Sequence, residues 1–182
     1  MNNTKQNPKG VDKQIDIIQS KLYKMLSSKG AINSFPRAYV LPHKDEGYVL
    51  QHHLRGDEYQ DILRNDDSRF FFYLNPTVNV SDQSTATVGI VFMVDLGELC
   101  DSEVRNDEGF RNSILSLLDN TNFKTETINI GVEYLKSIMG RVFGARGRAK
   151  DVFYSTNFEI DDMHPYHIFT IEGQISYSYN HC

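Results

Sequence analysis

Asp161, Asp162, His164 and His167, in the run DDMHPYH, form the densest group of metal-ligating side chains in this 182-residue sequence. Carboxylates and imidazoles so close together can hold Mg²⁺, Mn²⁺ or Zn²⁺, and a metal-dependent nuclease is the activity they would serve. A solvated turn accounts for the same residues more simply: Asp side chains satisfy local backbone donors, and Pro165 prepares the strand that follows. We therefore assign no metal, no cofactor and no catalytic residue, and expect a protein that is not an enzyme. His52 and His53 are adjacent, so in a strand they point to opposite faces and cannot chelate one ion together. Cys100 and Cys182 are too few for a disulfide framework or a multi-cysteine zinc site; they read as a small buried residue and a terminal thiol.

A second group is cationic. Arg141, Arg146, Arg148 and Lys150 stand against a formal net charge of -5, which excludes a wholly basic nucleic-acid-coating protein but leaves room for a local patch. With glycines between them, these cations can lie against phosphates without reading sequence, or pair with an acidic neighbouring subunit. Gly140, Gly144 and Gly147 come after a helical pattern instead of a strand, which removes the context a dinucleotide fingerprint needs. No phosphate-loop, nucleophile-elbow, HExxH, CxxC or EF-hand pattern occurs. The Arg55-Gly56-Asp57 triplet reads as chance, since nothing points to secretion: the start is polar and no stretch approaches 18 apolar residues.

The elements that must position these groups come from periodicity. Residues 1–10 are rich in Asn, Lys and Gln and read as a flexible N-terminal arm, with residues 11–182 as a single α+β domain. Val11, Ile15, Ile18, Leu22, Met25 and Leu26 step by three and four, predicting a helix over 11–28. RAYVLP and YVLQHHL, joined by HKDEG, predict a hairpin; residues 55–68 read as a charged loop with room for one helical turn. RFFFYL, TVNVS and the run from Thr85 form a β block. In its last strand Ala86, Val88, Ile90, Phe92, Val94 and Leu96 share one face, while Val91 and Met93 make the other apolar, so that strand is predicted to be central. A helix over 106–120, a short strand over 124–131, a helix over 132–143 and a strand over 152–160 follow.

The closing run HPYHIFTIEGQISYSY invites a hairpin at Glu172-Gly173, but its parity never slips. His167, Phe169, Ile171, Ile175, Tyr177 and Tyr179 all fall on odd positions, which predicts one strand of ~13 residues, roughly 43 Å long, bent at Gly173. That is about twice the usual strand length. Such length suggests that a neighbouring subunit covers part of it, which makes Ile168, Tyr177 and Tyr179 candidate interface residues in a cyclic homo-oligomer.

Helix 11–26, the run VGIVFMVDL at 88–96 and the closing HPYHIFTIEGQISYSY together resemble the tail-terminator and neck-ring (head-tail connector) proteins of tailed phages. The 14 Asn, 10 Tyr and absence of Trp suit an AT-rich genome of the crAss-like kind. The resemblance implies an α+β fold, with a mostly antiparallel twisted sheet and two or three helices packed on it. It also implies a structural virion protein, assembled in the bacterial host cytoplasm and placed in the neck or tail. Its partners would be itself as a cyclic homo-oligomer, adjacent portal, neck or tail proteins, and packaged DNA held non-specifically, with no membrane. The alternatives are an intracellular adaptor that uses an extended edge strand, and the nuclease.

Overall fold

The computed structural model describes residues 1–43, 47–55, 58–63, 67–79, 84–100, 106–131, 133–135, 137 and 166–178. Its elements are α1 (Val11–Ser27), β1 (Asn33–His43), β2 (Gly47–Arg55), β3 (Glu58–Asp61), β4 (Arg69–Asn79), β5 (Ser84–Asp95), α2 (Leu96–Leu99), α3 (Asp107–Leu118), β6 (Phe123–Ile130) and β7 (Tyr166–Tyr177). The strands form one seven-stranded sheet in the order β3-β2-β1-β4-β5-β7-β6. All neighbours are antiparallel except β1 and β4, so the fold is α+β with a mostly antiparallel sheet, as the sequence predicts.

The parity of β5 divides the core. Its residues Val88, Ile90, Phe92 and Val94 join Phe70 and Phe72 of β4 and Phe169, Ile171 and Ile175 of β7 under the apolar stripes of α1 and α3. Those stripes are Ile15, Ile18, Leu22 and Leu26, and Phe110, Ile114 and Leu118, at the three-and-four spacing that keeps one helix face on the sheet. Val91 and Met93 point the other way, into a second cluster with Phe35, Phe71, Tyr73, Leu135 and Ile168. Across the helix-side face, Phe70 stacks on Phe92 at 5.6 Å and Phe92 on Phe169 at 4.7 Å. Each fully buried phenylalanine contributes roughly 1.5–3 kcal/mol by leaving water, and the stacks add to it.

β7 is one strand and has no turn at Glu172-Gly173; β5 lies beside all 12 of its residues, from Ser84 opposite Tyr177 to Asp95 opposite Tyr166. β6 covers its other side from Phe169 to Ile175. Its own chain thus flanks β7 on one side throughout and on the other from Phe169 to Ile175, so the strand's length does not by itself call for a neighbour. The length of the strand was legible, but which strands lie beside it was not.

Other differences have local causes. β3 stands where a loop with a helical turn was expected, because Tyr59 packs edge-on against Tyr39 and His53 while Ile62, just beyond β3, buries fully. RFFFYL and the residues after it as far as Asn79 form the single strand β4, with a register shift between Leu74 and Val78 around Pro76, whose ring nitrogen has no proton to give a ladder. The run after Asp95 turns into α2, where the Asp95 side chain accepts a bond from the Gly97 N–H at 2.8 Å. Glu133, Tyr134, Leu135 and Ser137 are helical; the rest of helix 132–143 and the strand over 152–160 lie outside the described residues.

The first residues, read from composition as an arm, are seated on β1. The Asn3 N–H donates to the Ser34 carbonyl, Gln19 Nε2 to the Asn3 carbonyl at 2.6 Å, and Lys5 pairs with Asp12 at 2.5 Å. Polar partners, not apolar area, hold this segment.

Gly89 faces the Tyr73 ring across the β4–β5 ladder, and a Cβ there would lie 1.9 Å from Tyr73 Cζ. The ring cannot retreat, because its hydroxyl donates to Glu172 at 2.7 Å. We expect Gly89→Ala to cost roughly 1–3 kcal/mol in urea denaturation, by overpacking. The same substitution in a Tyr73→Ala background is expected to cost much less.

Candidate functional site

Of the four grouped metal-ligand candidates, only His167 is described. It is fully buried, stacks on Phe169 at 5.1 Å, and lies with Nε2 2.9 Å from Arg111 Nη1. Since the guanidinium can only donate, His167 Nε2 accepts, and the ring is a neutral core histidine, not an open metal ligand. Asp161, Asp162 and His164 lie outside the described residues, as do Arg141, Arg146, Arg148, Lys150, Tyr179 and Cys182. Among the described residues no three His, Cys, Asp or Glu side chains come together to hold a metal. Cys100 is half-buried against the helix-side core. No helix among the described residues is long and apolar enough to cross a membrane.

Ile168 and Tyr177 need correction. Ile168 is 2% exposed in the second cluster, and Tyr177 is 8% exposed in the helix-side core beside Gly10. Their own chain covers them, so neither offers a subunit contact.

Among the described residues, exposed large apolar side chains occur at Met1, Ile17 and Tyr166 and at both ends of the sheet. On β6, Ile128 is 37% exposed and Ile130 is 52% exposed. They stand opposite Ile171 and Phe169, both helix-side core residues, so they extend the apolar helix-side face past its cover. Their backbone orientation follows from one hydrogen bond. The Gly131 N–H donates to the Ile168 carbonyl at 2.9 Å, and antiparallel pairs alternate between bonded and non-bonded. Asn129 and Thr127 therefore bond to β7, while Ile128 and Ile130 turn their N–H and C=O groups outward.

The other end is built the same way with different side chains. The Ile62 N–H donates to the Leu50 carbonyl at 2.9 Å, so Gln60 bonds to β2 while Tyr59 and Asp61 face outward. Tyr59 is 44% exposed. It meets Tyr39 at 6.5 Å, and Arg37, whose guanidinium carbon lies 4.8 Å over the Tyr39 ring, also reaches Asp12 of α1 at 3.5 Å. Tyr59 therefore lies on the helix side, as Ile128 and Ile130 do.

Sequence reasoning passed over all of these residues. Ile128 and Ile130 alternate visibly in KTETINI, but nothing local says that this strand ends a sheet. None of the protein families, curated proteins or solved structures compared with the chain matches it.

Beneath β3 lies a buried histidine. His52 sits 3.3 Å from Gln60 Oε1 through Nε2 and 5.1 Å from the Phe35 ring, while its buried Nδ1 finds no side-chain partner among the described residues. Burial pushes its pKa below the usual histidine value; the bonds to Gln60 and to the His53 backbone oppose this only in part. The unfolded chain thus takes up a proton near pH 6.5 that the fold resists, so this contribution to stability is present above that pH and lost as pH falls through the lower folded pKa. We expect the melting temperature to drop on going from pH 7.5 to pH 5, and His52→Leu to flatten that drop. Equal slopes in the two proteins would show that His52 does not titrate between the states.

Proposed function

We propose that this chain is a non-enzymatic structural subunit of a phage neck or tail, which joins copies of itself into a ring around the path of packaged DNA. The observation that carries the reading is the pair of unlike sheet ends: β6 presents isoleucines and β3 presents Tyr59, each with outward-facing backbone groups. Two different surfaces on one chain suit head-to-tail contacts, and repeated head-to-tail contacts close into rings when the rotation permits. Neighbouring portal, neck or tail proteins would stack on such a ring. In this role the basic run Arg141, Arg146, Arg148 and Lys150 would line the channel, where cations hold DNA without reading its sequence.

The exposed β6 edge alone favours a second reading, an adaptor that captures an extended segment of another protein as an added strand.

Size-exclusion chromatography with light scattering, followed by electron microscopy, is expected to find closed rings. A monomer at high concentration, unchanged by neck proteins, would overturn the ring and favour the adaptor. Replacing Arg146, Arg148 and Lys150 together with Ser is expected to leave rings intact and reduce DNA retention; loss of the rings would move those residues to a subunit contact.

A further inference from the structure

We infer that the β6 edge of one copy pairs antiparallel with the β3 edge of the next, so that the sheet runs on from subunit to subunit. This rests on the reading that the chain assembles with itself, and three features of the described residues specify the pairing.

The first is direction. Starting from β3, the order β3-β2-β1-β4-β5-β7-β6 reverses at every step except the parallel β1–β4 junction. β3 and β6 therefore run in opposite directions. A neighbour in the same orientation, displaced along the sheet, brings its β3 antiparallel to β6, the pairing used everywhere else in the sheet but that junction. Had β1 and β4 been antiparallel, the same displacement would have produced a parallel contact.

The second is the position of the backbone groups. On β6 the outward residues are Ile128 and Ile130; on β3 they are Tyr59 and Asp61. Both sets are spaced by two, so both can bond in one register, with Ile130 opposite Tyr59 and Ile128 opposite Asp61.

The third is side-chain chemistry. Ile128, Ile130 and Tyr59 all lie on the helix side of the sheet, and a continuous sheet keeps that face in common. Ile130 then packs on Tyr59, the aromatic and β-branched pairing that favours neighbouring strands, while Ile128 meets Asp61, whose carboxylate accepts from Gln51 Nε2 at 2.6 Å. A two-fold β6–β6 contact would leave Tyr59 exposed.

Proline tests the pairing. At Ile128 and at Tyr59 it removes an outward N–H and leaves the bonds to β7 and β2 in place. Ile128→Pro and Tyr59→Pro are each expected to keep their circular dichroism and to shift from ring mass to monomer mass. Mixed, they are expected to give a one-to-one dimer and nothing larger, because only one intact β6 and one intact β3 remain to meet. A second measurement does not depend on proline being tolerated. In a Cys100→Ser, Cys182→Ser background, Ile130→Cys mixed with Tyr59→Cys is expected to cross-link under mild oxidation, while neither does so alone. If Tyr59→Pro still dimerises and Ile128→Pro does not, the contact is the two-fold β6–β6 pair and the inference falls. Rings that survive both prolines, with no cross-link, overturn the edge assignment and leave self-assembly standing; a monomeric wild type overturns self-assembly itself.

Discussion

Phe92 lies almost flat on Phe169, with the two rings inclined by 8°, and this contact sits toward the Asp95–Tyr166 end of the β5–β7 ladder. The register it marks is the constraint on which the other elements depend. Strand side chains alternate, so a slip of one residue would carry Val88, Ile90, Phe92 and Val94 away from the helices and turn Val91 and Met93 toward them. With the register in place, α1 and α3 receive a continuous apolar surface on one side. On the other side, Ile168 and Val91 meet Leu135, and the Tyr134 hydroxyl reaches Glu172 at 2.8 Å. Glu172 accepts a second phenol, that of Tyr73, so one carboxylate ties β7 to both β4 and the helical turn after β6.

What the sequence shows and what it hides divide along one physical line. Features set by a residue and its near neighbours were legible: the α1 stripe, the acidic start of α3, the two-sided apolarity of β5 and the unbroken parity of β7. Features set by which distant segments meet were not. β7 looked too long for its domain only because the strands beside it, 84–95 and 123–130, cannot be identified as its neighbours from their own composition. That is why Ile168 and Tyr177 looked like interface residues and prove to be core. β3 was hidden differently, its four residues among charges too few to show a period. The seating of Asn2 and Asn3 on Gln19 and Ser34 depends on matching polar groups, which a count of apolar residues does not register.

Edges are a hazard that sheets manage by charge, brevity or cover. β3 is short and follows a charged run, yet carries Tyr59; β6 mixes Lys124 and Glu126 with two exposed isoleucines. Neither is blunted along its whole length. Among the described residues each has a neighbouring strand on one side and none on the other.

β7 lies inside the sheet although it follows every other strand in the chain. During synthesis β4 and β5 can pair as soon as they emerge, and α1 can settle on them, but the site between β5 and β6 stays empty until residues 166–177 leave the ribosome. Until then β5 exposes a backbone edge along its whole length and the helix-side core lacks Phe169, Ile171 and Ile175. Contacts between residues so far apart in sequence form slowly, and unfilled edges attract other chains while they wait. Insertion of one late strand then completes the sheet, and a nascent chain is most open to aggregation before that step.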